Sequence, residues 1–596
     1  MKLDHDKTNF WKQRVRQPKI SNFGFARMNH NVATLECNKD GCDKTYIWDI
    51  KTGQLNDLLG DGAKHYGYLS PDGRYWYYLK DTKGNELGHW HRIEISSGVT
   101  EDITPDLPLY SGYSMSISDD SKKIAIFSYF EEDKRVYVIS LDENFETIKR
   151  NMVFQSINNI DGIAISGDGK LVAISSDEGR KNNKQATLII DTETGDTLHR
   201  LWLGDDKSVF TELFISNTSL AAVLVENKIM KSGIWNYKNG EFEIIELNAE
   251  GDQSVRDVSS DGKLLLLESM YKSQSCHYVY SIERKTSVKL EDLNGETWPE
   301  CFVGNDLYLL NNNSQEKSAL KMFDGQTGRY KGLAFQLPDS IPSSKAELVT
   351  FKGANGDNVD AWFKKPEGVG PFPAIIQVHG GPLVFNGEYY EDDAFVDNGF
   401  AKLSVNYHGT YSYGESFDKS IIGRIGEFEL EDMVAASNWL VELRIAIPDK
   451  IFLMGGSYGG YLTLWGMVKR PDLWRAGIAH IPVTDWKMTH EDSTDFMKAW
   501  TIQLFEGKPE EKPEQYVKSS PITYVENLSA PIFITAGIND TRCAKRQNQN
   551  FIAKAKDLGK DVEEYWFDEG QGSNVVDEQI HQIELRLRFM KRVLEK

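Results

Sequence analysis

Cysteine is scarce in this chain, with five scattered residues in 596. So few, and an odd number, exclude a disulfide framework and suit reduced thiols. Cys37 and Cys42 have no second pair with which to complete a zinc site, and no motif marks a metal or organic cofactor. Long apolar runs are missing too. Nothing is long enough to span a bilayer and no signal-peptide pattern opens the sequence, so the expected compartment is the cytoplasm, with no membrane partner. Positive charge is the minority: 68 Lys and Arg stand against 89 Asp and Glu, for a net charge of −21 and a pI near 5.2. That balance argues against nucleic acid as a partner and reads as a solvating surface. It leaves the oligomeric state open, and a homo-oligomer is compatible with it.

A chain of 596 residues is too long for one core. Its first part repeats. A turn such as Ser70-Pro71-Asp72-Gly73 precedes an apolar strand, and it returns near Asp120, Asp168, Asp261 and Asp306. Asp72, Asp120 and Asp168 recur at a step of 48 residues, close to the period of a four-stranded propeller blade. A second signature, Asp-x-x-Thr-Gly, ends strands at Asp49, Asp191 and Asp324. Counting units gives about seven blades of a β-propeller over residues 20–336. A Pro/Ser-rich passage at 337–344 marks the boundary. Over residues 345–596 strands alternate with helices, for example at 429–443 and 544–558, the pattern of an α/β domain with a mostly parallel sheet. The fold class is thus a β-propeller joined to an α/β-hydrolase domain.

The chemistry lies in that second domain. Gly455-Gly456-Ser457-Tyr458-Gly459-Gly460 follows the apolar run 451–454 and precedes a helical stretch, 461–469. A strand entering a helix through G-x-S-x-G is a nucleophile elbow: the glycines permit a sharp strained turn that holds the serine at the carboxyl end of the sheet. The adjoining helix N-terminus favours developing negative charge. Upstream, the strand 374–378 ends in His379-Gly380-Gly381-Pro382, a loop able to offer N–H groups to an oxyanion, with the Tyr458 amide as second donor. Downstream, the strand 531–538 ends on Asn539-Asp540. In this fold the triad runs in the order Ser, Asp, His, so Asp540 takes the middle role over that of a mere turn former.

These residues, together with Val405-Asn406-Tyr407-His408-Gly409, Asp432 and Pro482-Val483-Thr484-Asp485-Trp486, closely resemble the prolyl oligopeptidase family of serine peptidases. The acylaminoacyl-peptidase and dipeptidyl-peptidase-like branches look nearest. The resemblance implies that Ser457 is the nucleophile, Asp540 the triad acid, and Gly381 and Tyr458 the oxyanion donors. It further implies that Arg542 is a substrate-facing cation and that Val483 and Trp486 wall the pocket for the residue before the scissile bond. It also implies that an N-terminal segment, residues 1–19, packs on the hydrolase domain. Lys487, Met488, Thr489 and His490 stand where proline-cutting relatives carry aromatics, so no preference for proline is implied.

One departure governs the reading of activity. Gln571, in Asp568-Glu569-Gly570-Gln571-Gly572, stands where the family has its catalytic histidine, and Ser573 stands where an aromatic is usual. A carboxamide cannot take a proton at neutral pH. His480, at the end of the strand 476–479, is the candidate for a relocated base; the ordinary reading is a histidine packed at a strand end. His379 belongs to the family's own loop, and His581 to the last amphipathic helix. Cys543 reads as filler rather than nucleophile. Glu131-Glu132, in a blade hairpin, could bind a peptide amino terminus, although a charged hairpin tip is usually just solvated. Two functions follow: a serine hydrolase of short peptides or acylated amino compounds, impaired or altered by Gln571, or a hydrolase-fold protein that binds such a ligand, or serves a biosynthetic step, without hydrolysis.

Overall fold

A computed structural model describes residues 10–61, 64–112, 114–130, 133–179, 184–227, 229–291, 293–338 and 341–595. Glu131-Glu132 and residues 1–9 of the expected N-terminal segment lie outside the described residues.

Strands Ile20–Ala26, Asn29–Cys37, Lys44–Trp48 and Leu55–Asp57 pair antiparallel in sequential order, and six more four-stranded sheets of the same kind follow, the last ending with Tyr330–Phe335. The result is a seven-bladed β-propeller. The repeated turns have a common hydrogen-bond pattern. Ser70, Ser118, Ser166 and Ser259 each donate Oγ–H to the aspartate two residues on, at 2.6–2.8 Å, and accept the N–H of the residue five places on. Asp49, Asp191 and Asp324 each accept two backbone N–H groups ahead of them, forming the turn that ends a strand. Every sheet is built of consecutive strands, so no strand is shared across the ring closure. Side-chain packing closes it instead: Leu35 and Trp48 of the first blade meet Leu310 and Leu320 of the last, and the Phe25 ring lies 4.9 Å from Tyr308.

The C-terminal sheet has eight strands in the order Glu347–Lys352, Asn358–Lys364, Ala401–Asn406, Phe372–Val378, Ala446–Gly456, Ala476–His480, Ile532–Gly537, Val562–Phe567. The first two pair antiparallel and the last six run parallel. Strand alternation divides the sheet's faces. Ile376, Leu453 and Ile534 pack with the helix Tyr458–Lys469 on one face, while Ile375, Phe452 and Phe533 meet Phe589, Met590 and Val593 of the helix Val576–Glu595 on the other. The helix Phe10–Arg16 lies on that last helix, with Trp11 and Val15 against Val576, Ile580 and Leu587. Its Arg14 ties to Asp397 at 2.7 Å and to the Pro342 carbonyl at 2.9 Å.

The carboxyl edge of the sheet, where parallel folds place their chemistry, faces the propeller. Thr541 Oγ1 donates to the Asn85 carbonyl at 2.9 Å, and Ser412 accepts the N–H groups of Lys272 and Ser273 at 3.0 and 2.9 Å. The Tyr129 and Phe496 rings meet at 5.3 Å.

Candidate active site

Ser457 sits between the strand Ala446–Gly456 and the helix Tyr458–Lys469 with φ 55° and ψ −119°, a strained conformation for a residue with a Cβ. The strain is held from three sides. The Ser457 N–H donates to the His480 carbonyl and its carbonyl accepts Tyr461 N–H, both at 2.9 Å. A Cβ on Gly459 would collide with the Val378 carbonyl, and one on Gly455 would lie 2.5 Å from the Gly459 oxygen, so the flanking glycines are required by close approach. The His379-Gly380-Gly381 loop lies alongside: a Cβ on Gly380 would lie 3.5 Å from Ser457 Cβ. Neither the Gly381 N–H nor the Tyr458 N–H has an acceptor among the described residues. Both are therefore left free to donate.

His379 is structural. It stacks on Tyr407 at 4.2 Å and binds the Thr410 hydroxyl at 2.8 Å, and burial holds its pKa down to about 4. Asp432 serves the same framework, accepting Ala354 N–H, His408 N–H and the His408 ring, each at 2.7 Å.

Gln571 reaches the nucleophile. Its Nε2 lies 2.9 Å from Ser457 Oγ, and Cys543 Sγ completes the surroundings at 3.9 Å from that oxygen and 4.0 Å from the amide. Asp540 accepts the Arg542 and Cys543 N–H groups on Oδ1, at 2.8 and 2.9 Å, while its buried Oδ2 has no partner among the described residues. Burial pushes the Asp540 carboxyl up to about 6, against the pull of those two amides. Gln571 thus touches Ser457 and Cys543 but makes no hydrogen bond to Asp540, whose Oδ2 is left without a partner. Burial also lifts the Cys543 thiol far above its usual range, so it offers no thiolate.

Three further groups of candidates have partners of their own. His480 turns away from the nucleophile: Nδ1 bonds Thr535 Oγ1 at 2.5 Å and the ring stacks on Phe567 at 5.9 Å. Ser457 Oγ has Gln571 and Cys543 as its partners instead. Burial, and secondarily the Arg586 charge, keep the His480 pKa well below the ordinary value. Trp486 and Val483 do not wall an open pocket, because they are 0% and 3% exposed within the main core. Trp486 is enclosed by Tyr458, Tyr461, Trp500 and Phe505, at 5.1–6.1 Å between rings. Arg542 faces the propeller, where Glu86 takes both Nε and Nη2.

Glu86 was invisible to sequence reasoning, since it lies 456 residues before its partner. It stands in the hairpin between the strands Tyr75–Lys80 and His89–Glu94, and that hairpin also locates Gln571. A Cβ on Gly570 would collide with the Gly84 carbonyl, and a Cβ on Gly537 with the Gly570 carbonyl. Lys83 pairs with Asp568 of the same loop. Beside it a cavity of about 530 Å³ is lined by Tyr66, Asp81, Glu86, Arg542, Glu569 and Gln571, among others.

Residues 389–596 match the model of the prolyl oligopeptidase family. An uncharacterized peptidase of Bacillus subtilis (strain 168), YuxL, is 28% identical over 233 residues, 37% of this chain and 34% of its own length. The acylamino-acid-releasing enzyme of Arabidopsis thaliana is 28% identical over 198 residues, 32% of this chain and 26% of its own. The match thus spans about a third or less of the length of these curated relatives. Among solved structures, a puromycin-hydrolyzing peptidase of Mycobacterium tuberculosis superposes with a TM-score of 0.81 at 18% identity, over 99% of this chain and 96% of its own. The acylaminoacyl peptidase of Pyrococcus horikoshii superposes with a TM-score of 0.72 at 18% identity, over 98% and 97%. That likeness establishes the propeller-plus-hydrolase fold along the whole chain.

Proposed function

We propose, from the premise that residues 389–596 are a prolyl oligopeptidase family domain, that the chain is a serine hydrolase of short peptides or acylated amino compounds whose turnover is limited by its missing base. The observation that carries this reading is the contact of Gln571 with Ser457 Oγ beside the unpartnered Asp540 Oδ2. Ser457 on its strained turn attacks the acyl carbon, the Gly381 and Tyr458 N–H groups stabilise the oxyanion, and the hydroxyl proton passes to water, because a carboxamide in either orientation cannot hold it. General-base assistance is worth about 10² to 10⁴ in rate, and that is the deficit expected here. The names of the relatives support acylated or blocked peptides as the substrate class. The propeller packed over the carboxyl edge supports a limit on substrate size.

Retention of ligand binding without hydrolysis is the second reading. The sealing of Trp486 inside the core favours it, since a peptide side chain has no open slot there. A serine-directed fluorophosphonate decides between them, applied to the unaltered chain, Ser457→Ala and Gln571→His. Slow labelling confined to Ser457 and strongly accelerated in Gln571→His supports the hydrolase. No labelling of either the unaltered chain or Gln571→His favours the binding protein.

A further inference from the structure

Beneath the active site, on the opposite face of the sheet from the helix Tyr458–Lys469, a separate cavity of about 280 Å³ lies between the strands and the helix Val576–Glu595. Arg586 projects into it from that helix. Its Nε is buried with no partner, its one hydrogen bond is a long contact of 3.5 Å from Nη2 to Gln582 Oε1, and it forms no ion pair among the described residues. Burial draws even this guanidinium down to about 10.

The Asp392 charge acts on Arg586, and the other neighbouring charges are already committed. Lys402 pairs with Glu391, Lys364 holds Asp393 at 2.9 Å, and Asp392 Oδ1 accepts the Ala394 N–H at 2.8 Å. Lys19 lies over the Tyr390 ring at 5.6 Å. Gln377, on the central strand Phe372–Val378, lines the same cavity with no side-chain hydrogen bond among the described residues. The remaining walls are apolar, with Phe395, Met454 and Ile583.

We propose that this cavity binds a small carboxylate with a short apolar body, its oxygens on the Arg586 fork and the Gln377 amide and its tail against Phe395, Met454 and Ile583. The buried Nε of Arg586, without a partner, carries a desolvation cost that a bound carboxylate would offset. The planar guanidinium matches a carboxylate in a bidentate fashion, and the apolar walls disfavour a fully hydrated anion such as phosphate. The site is distinct from that of Ser457 and does not depend on whether the chain hydrolyses anything. It lies within reach of the elbow, because the Arg586 charge acts on His480, whose carbonyl holds the Ser457 N–H.

The test is thermal unfolding and calorimetric titration of the full chain with sodium butyrate, sodium acetate and inorganic phosphate, with sodium chloride at matched ionic strength. Butyrate is expected to raise Tm saturably, acetate less, and chloride not at all. In Arg586→Met the butyrate affinity should fall by at least about tenfold. The same variant should melt no lower than the unaltered chain in anion-free buffer, since an unbonded, partly buried donor is removed while most of its stem is kept. Gln377→Leu should weaken butyrate binding without loss of fold. Butyrate acting no differently from chloride, an undiminished response in Arg586→Met, or a marked loss of stability in that variant without anion would each overturn the proposal. Saturable stabilisation by phosphate but not butyrate would overturn the carboxylate assignment.

Discussion

Arg542 of the hydrolase domain is clasped by Glu86 of the propeller, with Nε to Oε2 at 2.7 Å and Nη2 to Oε1 at 2.6 Å. The Arg542 N–H also binds Asp540 Oδ1 at 2.8 Å, so a propeller side chain bears on Asp540 through a single residue. Glu86→Gln should therefore weaken the grip of the second blade on the catalytic loops. We expect a loss of about 1 to 2 kcal/mol for this partly shielded pair, with faster proteolytic cleavage of the 568–575 loop. Unchanged melting and cleavage would remove the hairpin from any positioning role.

Gln571→His should restore the missing link. Labelling at Ser457 is expected to accelerate by about 10² to 10⁴ and to acquire a pH profile that rises as an imidazole loses its proton. Without the substitution the rate should climb with hydroxide and show no plateau near neutrality. A plateau in the unaltered chain would reveal an unrecognised base.

His480→Ala should leave labelling of Ser457 within a fewfold, since the imidazole is bound to Thr535. Abolished labelling in a folded variant would restore His480 as the base.

Asp540→Asn should stabilise the protein above neutral pH. Burial raises the folded carboxyl to about 6, above its unfolded value, so the folded state holds the extra proton between those two values. Its stabilising contribution is complete below the unfolded pKa and is lost as pH rises through about 6. Tm measured from pH 4.5 to 8 should fall less steeply in Asp540→Asn, with a gain at pH 8 of up to about 2 to 3 kcal/mol. An identical pH slope would show that the orphaned oxygen carries no such penalty.

Trp486→Ala should act on stability before substrate preference. Removing a fully enclosed indole costs about 3 to 5 kcal/mol. A variant of unchanged melting temperature but altered substrate preference would return Trp486 to the pocket wall.

Local features were legible in the sequence and convergent ones were not. The strand, turn and helix around Ser457 are contiguous, and the glycines that allow the strained φ are its immediate neighbours. The Ser-x-Asp turns of the blades repeat because each satisfies its own backbone within five residues. The blade count was readable for the same reason. The fate of Trp486 was not, since Tyr461 arrives from one helix and Trp500 and Phe505 from another to enclose it. The Glu86 partner of Arg542 was not legible because it comes from another domain. For His480, the side of the strand it occupies follows from register, and register turns it toward Thr535. Arg586 gave no sign, because an arginine in an amphipathic helix ordinarily points to water.

The helix Phe10–Arg16 rests on the hydrolase domain, and the chain then makes the whole circuit of the propeller before returning at residues 336–346. The ring is therefore moored by two cables on the same side, one leading into the first blade and one leaving the last. A body moored once can swivel; moored twice at neighbouring points it can only rock about the line between them. A parting of the two domains would on that ground be expected to open least beside the seam of the first and last blades and most across the ring, at the strands Ile160–Ile165 to Thr197–Leu201 of the fourth.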